Sequence, residues 1–477
     1  MTWLMLDALA VYLALIKQAI GVLAVLLALS GLDDLAIDLL YGLRRLWRRT
    51  IIYSRFPRAT AASLSHHQPE LGWMAVLIPA WDESTVIGAM LRTTLARLAY
   101  PRYRLYVGAY PNDPLTAAAV RDIAAGDDRV RLVLTARDGP TTKADCLNAL
   151  YAAVLRDEAA GHAPFKAIVL HDAEDVVHPR SLSVFDHLIP RKAMVQLPVL
   201  PLARERHNWV AGTYLDEFAE SHAKDLVVRE WLGASLPCAG VGCAFSRAAL
   251  TLAATENGGL PFRADSVTED YELGVRLGVH GLDAALVRIP ADDADTRIVA
   301  TREYFPATLE AAVRQRARWL LGITLAGWQR LGWPGTLVDR YMLLRDRKAL
   351  LNAYLNIAAY VAALHLAALW LTAQLWPAVP RFPALIEPGG VTALLVRFNA
   401  ALLAWRLLLR ALFTARLYGW REGLRAVPRA VVSNIVNFLA AVRAVRLYTR
   451  ARRSRTPLAW DKTAHHYPTP DALDPAA

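Results

Sequence analysis

Residues 165–175 read FKAIVLHDAED, and this stretch decides the fold. Its first part, 165–171, is an apolar run rich in β-formers and too short for an ordinary helix, which argues for a fully buried strand. The run stops at a polar step made of Asp172, Glu174 and Asp175. Working outward, residues 74–79 (MAVLIP), 104–110 (RLYVGAY), 129–135 (RVRLVLT) and 193–199 (AMVQLPV) are similar runs bounded by turn residues. Helical patterns lie between them at 85–97, 115–125 and 143–157. Short apolar strands alternating with amphipathic helices predict an α/β domain over 73–340, built on a parallel, doubly wound sheet. Ligands bind beyond the carboxyl ends of such strands, so the polar residues just after each strand are the candidates.

Those residues are acidic. Asp82 follows the first strand, Asp113 the second, and Asp172, Glu174 and Asp175 the fourth. Asp113 lies in Asn-Asp-Pro and can be a turn residue alone, and the other acids can be a solvated loop. Three carboxylates so close together nevertheless repel one another unless a cation is present. Carboxylate oxygens suit Mg2+ or Mn2+, which in turn suits a nucleotide diphosphate. Further along, Ser266 and Glu269 have the spacing of a capping box, and Asp270 complements the positive end of the helix that follows. The same placement holds a carboxylate rigidly, as a general base must be held. On a helix opened by Pro306, Gln315, Arg318 and Trp319 share one face. That face is either a basic amphipathic surface at a membrane, or a guanidinium and amide for diphosphate beside an indole for stacking a sugar ring.

The 477 residues are 55% hydrophobic, and 54 Lys plus Arg against 43 Asp plus Glu give a net charge of +11. This apolar content excludes disorder, and three cysteines (Cys146, Cys238 and Cys243) are too few and too badly spaced for a disulfide-stapled fold or a zinc ribbon. The apolar excess lies at the two ends. Residues 8–29 with Lys17 as sole charge, 350–376 with none, and 391–409 with Arg397 and Arg406 are each long enough to cross a roughly 30 Å hydrocarbon core. Arg44, Arg45, Arg48 and Arg49 follow the first span, and Arg416, Arg421, Arg425 and Arg429 the third. The positive-inside rule places both regions in the cytoplasm.

The expected layout is an N-terminal span with a basic interfacial helix (1–60), a cytoplasmic α/β domain, a membrane hairpin with an interfacial helix at 427–448 (341–455), and a cytoplasmic tail (456–477). No basic residue precedes the first run and no small-residue cleavage site follows it, so it reads as an anchor rather than a signal peptide. The basic excess then serves a membrane surface, and no nucleic-acid module is present in the sequence. Arg397, Arg406, Trp370, Trp376 and Trp405 are either cavity-lining groups or interfacial anchors.

In order along the chain, Asp113, Lys143-Ala144, Asp172-Ala173-Glu174, Thr268-Glu269-Asp270 and Gln315-x-x-Arg318-Trp319 resemble the motif series of processive family 2 glycosyltransferases, which include cellulose and hyaluronan synthases. Ser30-Gly31-Leu32-Asp33-Asp34, Tyr110-Pro111-Asn112-Asp113, the segment 172–179 and the tail 457–463 more closely resemble the inner-membrane bacteriophage-adsorption protein B subfamily. Members of that subfamily often carry a C-terminal cyclic di-GMP-binding domain, and an end at Ala477 implies that this chain lacks it.

The resemblance implies a GT-A (Rossmann-like) domain inserted between transmembrane and interfacial helices. It implies an inverting enzyme of the bacterial inner membrane that passes sugar from a UDP-sugar to a growing polysaccharide coupled to secretion. Asp82, Asp113, Lys143, Asp172, Gln315 and Arg318 would bind the nucleotide sugar, and Asp172 and Glu174 would hold Mg2+ or Mn2+. Asp270, with Glu269, would be catalytic, Asp270 as the base. Trp319, Gly240, Gly242 and Cys243 would face the acceptor, and Trp460, Lys462 and Thr463 would form a gating loop. Implied partners are the donor, a glycan acceptor, the membrane, and an outer-membrane export partner or a second copy. Two alternatives stay open: transfer of a single sugar to a lipid carrier, and a non-catalytic envelope scaffold that keeps the fold.

Overall fold

Successive residues of one strand serve two cores. In the computed structural model, which describes residues 2–65, 70–189, 191–204, 208–295, 297–375, 384–454 and 465–469, β1 (Trp73–Pro79) is buried along almost its whole length. Met74, Val76 and Ile78 pack under the helix Ile87–Arg97, while Ala75 and Leu77 pack under the helix Lys143–Ala159. Period-two alternation sends neighbouring side chains to opposite faces, so a strand apolar at every position must be covered on both.

The remaining strands are β2 (Tyr103–Ala109), β3 (Val130–Leu134), β4 (Phe165–Leu170), β5 (Met194–Gln196), β6 (Val199–Pro201), β7 (Cys243–Ser246), β8 (Ala284–Leu286) and β9 (Thr301–Glu303). The main sheet runs β3-β2-β1-β4-β7-β5-β8, and β6 and β9 form a small second sheet. β1, β2, β3 and β4 are parallel, as expected, but β7 is antiparallel to both β4 and β5. The cause is local. The chain reaches the carboxyl edge in the loop 238–242 and enters β7 from there, with Cys243 opposite Leu170, so β7 can only run back. The run 193–199 also divides in two. Pro198 has no N–H for a ladder, and the chain passes from β5 in the main sheet to β6 in the second.

Helix predictions hold at Ile87–Arg97, Pro114–Ala124, Lys143–Ala159 and Leu309–Leu320. The capping box at Ser266 does not form. The helix Glu269–Val279 starts after Thr268, and Ser266 Oγ instead donates to Glu272 at 2.7 Å and accepts from Thr268 N–H at 3.2 Å.

Among the described residues, four helices, Thr2–Trp47, Leu337–Leu375, Val391–Tyr418 and Trp420–Ser454, are long and apolar enough to cross a membrane. The first span and the basic segment that follows it, expected as a separate interfacial helix within 1–60, share one uninterrupted helix. The segment 427–448 lies within Trp420–Ser454, which meets the span criterion and also packs on Leu309–Leu320 and Trp209–Glu220 of the α/β domain. Polar contacts fasten the long helices to one another and, through Glu220, to that domain. Asp33 and Asp34 accept from Arg345 and Lys348, Arg406 binds Glu220 at 2.8 Å, and Trp405 Nε1 donates to Asp38 at 2.9 Å. Arg406 and Trp405 therefore hold the Val391–Tyr418 helix to neighbouring elements.

Candidate active site

The sheet order reverses between β1 and β4: β2 and β3 lie beyond one, and β7, β5 and β8 beyond the other. A crevice opens at such a reversal because the flanking connections diverge there. A cavity of about 320 Å³ occupies it, within the usual range for a small-molecule site. Trp81 and Glu83 enter it from the end of β1, and Asp172 and Glu174 from the end of β4. Lys143, Asp270, Gln315, Arg318 and Trp319 complete the wall.

Local structure sets each group. Lys143 opens its helix behind a capping box in which Thr142 accepts from Asp145 N–H and the Asp145 side chain reaches back. Its Nζ meets Asp172 Oδ1 at 2.6 Å. Burial pulls the Lys143 ammonium downward, but Asp172, Glu269 and Asp270 hold it above the ordinary lysine range, so it stays charged. The loop after β4 is tied by Asp175, whose Oδ2 accepts from Asp172 N–H at 3.1 Å and sits 2.6 Å from His171 Nδ1. Burial raises Glu174 to about 8, with Asp172, Glu83 and Asp175 adding to the rise and His465 opposing it. Glu303 in β9 is pushed up well beyond the carboxylate range by burial and by Asp175, Glu174 and Asp172. A divalent cation fits this acidic face, where Glu83, Glu174 and His465 bring ligand atoms within 4.8 Å of one another.

On the other side, burial raises both Glu269, to about 7, and Asp270, while Lys143 and Arg318 draw them down. Tyr271 N–H fixes Asp270 Oδ1 at 2.7 Å. Gly240 of the loop 238–242 has φ +79°, and a Cβ there would stand 2.1 Å from Asp270 Oδ2 and 3.3 Å from Lys143 Nζ. Gln196 holds that loop, accepting from Ala239 N–H at 2.9 Å and donating to Val241 O at 2.9 Å. Gly240→Ala is therefore expected to displace Asp270 and lower turnover about 100-fold, the effect of a small misplacement of a reacting group. Steady-state kinetics beside an unchanged circular dichroism spectrum is the check. Tyr214, Phe218, Phe305 and Trp319 form an aromatic wall, with Tyr214 stacked on Phe305 at 4.8 Å between centroids. Gln315 Oε1 and Thr268 Oγ1 are buried here without a hydrogen-bond partner among the described residues. Such groups cost about 1–3 kcal/mol unless a ligand satisfies them.

The sequence pattern described as "Glycosyltransferase like family 2" matches residues 69–322, more than half of the chain. The chain belongs to this family. Bacteriophage adsorption protein B of Escherichia coli strain K12 is 38% identical over 98% of this chain, and the match spans 64% of that protein's length. Bacteriophage N4 adsorption protein B of Escherichia coli O157:H7 matches equally, 38% identical over 98% of this chain and 64% of its own. The chain thus spans less than two thirds of these relatives. Among solved structures, a mannosyltransferase from Pyrobaculum calidifontis in complex with GDP-Man and Mn2+ superposes with a TM-score of 0.50 at 18% identity, covering 87% of this chain and 99% of that one. At that identity the likeness establishes the GT-A fold and no more.

Against this glycosyltransferase fold the expected site residues divide. Lys143, Asp172, Glu174, Glu269, Asp270, Gln315, Arg318 and Trp319 converge on one cavity. Asp82 and Asp113 do not line it. Asp113 caps the helix Pro114–Ala124 through Thr116 N–H and accepts from Asp82 N–H at 2.6 Å. With φ of 54°, Asp82 makes a left-handed turn, and Glu83 beside it lines the cavity. Gly242 and Cys243 also sit behind the wall: a Cβ on Gly242 would lie 2.2 Å from Thr301 Oγ1, and Cys243 is fully buried in β7. Burial pushes the Cys243 thiol far up, which fits a packing role. Trp460, Lys462 and Thr463, like Trp376, lie outside the described residues.

Glu83, Gln196, Glu303 and His465 are cavity residues that sequence reasoning passed over. Glu83 stands beside Asp82 in the same post-strand segment, and only the backbone twist chooses between them. His465 begins a His-His pair just past Lys462-Thr463, a doublet that could have been read as metal-binding.

Proposed function

We propose that this chain is an inverting glycosyltransferase that moves a sugar from a UDP-sugar to the end of a growing polysaccharide. It would work at the bacterial inner membrane with the α/β domain in the cytoplasm, coupled to secretion of the polymer. The observation that carries this is the convergence of Asp270, Lys143, Arg318, Asp172 and Glu174 on one cavity, with Lys143 paired to Asp172 at 2.6 Å. Asp270 takes the proton of an acceptor hydroxyl, whose oxygen forms a bond to the anomeric carbon from the face opposite the diphosphate. The bond from that carbon to the diphosphate oxygen breaks, its electron pair leaves with the diphosphate, and configuration inverts. Lys143 and Arg318 place positive charge where the leaving group gains negative charge. Gln315 offers its free Oε1, and Trp319 its ring, to the bound sugars. A divalent cation on Asp172 and Glu174, with Glu83 and His465 near, would neutralise the diphosphate when bound. The Mn2+ and nucleotide sugar bound by the Pyrobaculum calidifontis enzyme support the same class of ligand here.

The test is nucleotide release by purified chain in nanodiscs, offered UDP- and GDP-sugars with Mn2+, followed by sizing of labelled product. UDP-dependent release with polymeric product is expected. Single additions only would remove the processive part, and release from GDP-sugars alone the UDP part. Chelation of the metal should abolish turnover, since charge neutralisation of this kind is worth several kcal/mol, and Mn2+ should restore it.

A further inference from the structure

A second cavity, of about 400 Å³, lies apart from the catalytic crevice, where the α/β domain meets the helices Val391–Tyr418 and Trp420–Ser454. Its wall carries four arginines, Arg204, Arg421, Arg425 and Arg429, against one carboxylate, Glu422. Two of the four are already neutralised. Arg429 binds Asp216 and one oxygen of Glu422, and Arg425 binds the other. Among the described residues, Arg204 and Arg421 pair with no carboxylate; each lies over an aromatic ring, Tyr304 at 4.6 Å and Trp420 at 5.5 Å. Arg204 Nε is buried there without a hydrogen-bond partner. The frame around them is tied down. Tyr418 donates its hydroxyl to Pro201 O at 2.8 Å, and Asn208 caps the helix Trp209–Glu220 through Ala211 N–H at 2.8 Å.

Trp420 also belongs to a second feature. With Leu424, Val427, Val431 and Ile435 it forms a row of exposed apolar side chains at i, i+4, i+7, i+11 and i+15, hence on one face of the helix. Such a row marks a surface covered by lipid or protein rather than by water. Uncompensated guanidinium groups at the head of an apolar row match a molecule with an anionic head and a hydrocarbon tail. Guanidinium also fits phosphate oxygens in a two-pronged geometry that ammonium lacks. We propose that this cavity binds the phosphate of an anionic phospholipid through Arg204 and Arg421, with the acyl chains lying against the row that starts at Trp420. A soluble phosphate meets the same arginines but gains nothing from the row, so the lipid is the favoured ligand. The site requires the C-terminal helices to lie at the membrane, as proposed above, and does not require sugar transfer.

Full-length chain in neutral detergent, without donor, is titrated with phosphatidylglycerol, phosphatidylcholine or inorganic phosphate, and bound ligand is counted by native mass spectrometry. One phosphatidylglycerol per chain should bind at least about 10-fold more tightly than phosphatidylcholine. Arg421→Gln, at an exposed position that leaves folding intact, should weaken phosphatidylglycerol about fivefold, and the double variant Arg204→Gln, Arg421→Gln at least about 10-fold. Arg416→Gln, removing an exposed arginine outside the cavity, should change affinity less than about twofold. Leu424→Gln should weaken the lipid and leave inorganic phosphate unaffected. Equal losses in Arg416→Gln and Arg421→Gln would reduce the site to a diffuse basic surface and overturn the proposal, as would equal binding of the two lipids. Inorganic phosphate that displaces the lipid at matched concentration, with Leu424→Gln without effect, would assign the cavity to a soluble anion and overturn the lipid.

Discussion

Asp270→Asn is expected to lower sugar transfer by about 100- to 10,000-fold, the span associated with losing a positioned general base. The fold should survive, because the amide is nearly isosteric and its oxygen still accepts from Tyr271 N–H. The pH profile gives a second readout. Burial raises the Asp270 carboxyl above its ordinary value, and the group works only when ionised. Transfer should therefore rise with pH through that raised value and fall away below it. Asp270→Asn should lose this acid limb, whereas Glu269→Gln should keep it. An acid limb that survives in Asp270→Asn and disappears in Glu269→Gln would move the base to Glu269.

Asp216→Ala should be the most damaging single change outside the cavity. Asp216 is fully buried and accepts from Arg429 Nη2 at 2.7 Å, Arg429 Nε at 3.0 Å and Thr414 Oγ1 at 3.1 Å, with Arg410 3.5 Å away. These bonds join the helix Trp209–Glu220 to both C-terminal helices. Removing one partner of a buried pair costs about 3–5 kcal/mol, because the remaining charge keeps its desolvation cost without its counter-ion. Arg429 retains Glu422 at 2.7 Å, which places the expected loss near the lower end. Thermal denaturation in detergent is the check. The double variant Asp216→Leu, Arg429→Met should recover much of the loss, since apolar replacement of a whole buried pair is often close to neutral. Failure of the pair to recover would show that the bonds to Arg410 and Thr414 matter more.

The sequence by itself determined the elements, the family and most of the cavity. Buried strands announce themselves as unbroken apolar runs, and Lys143, Asp172, Glu174, Asp270 and Arg318 each stand in a recognisable motif just after a strand or on a helix. Those signals are local, so they survive in one dimension. The direction of β7, the division of 193–199 at Pro198, and the cap of the Glu269 helix were not legible, because each depends on where the chain arrives from. The choice between Asp82 and Glu83 belongs with them. It turns on one residue with φ of 54°, held by Asp113, and neighbouring carboxylates look equivalent until that backbone is built. Asp113, expected to bind the donor, holds this turn. His465 is the extreme case, since it meets Glu83 across 382 residues of sequence. No spacing rule spans such a distance, and only packing of the tail against the helix Ile87–Arg97 brings an imidazole to the two carboxylates. The motifs fixed which charges the protein carries to its site, while the tertiary structure decided which of them face one another, because facing is set by backbone twist and chain return rather than by residue type.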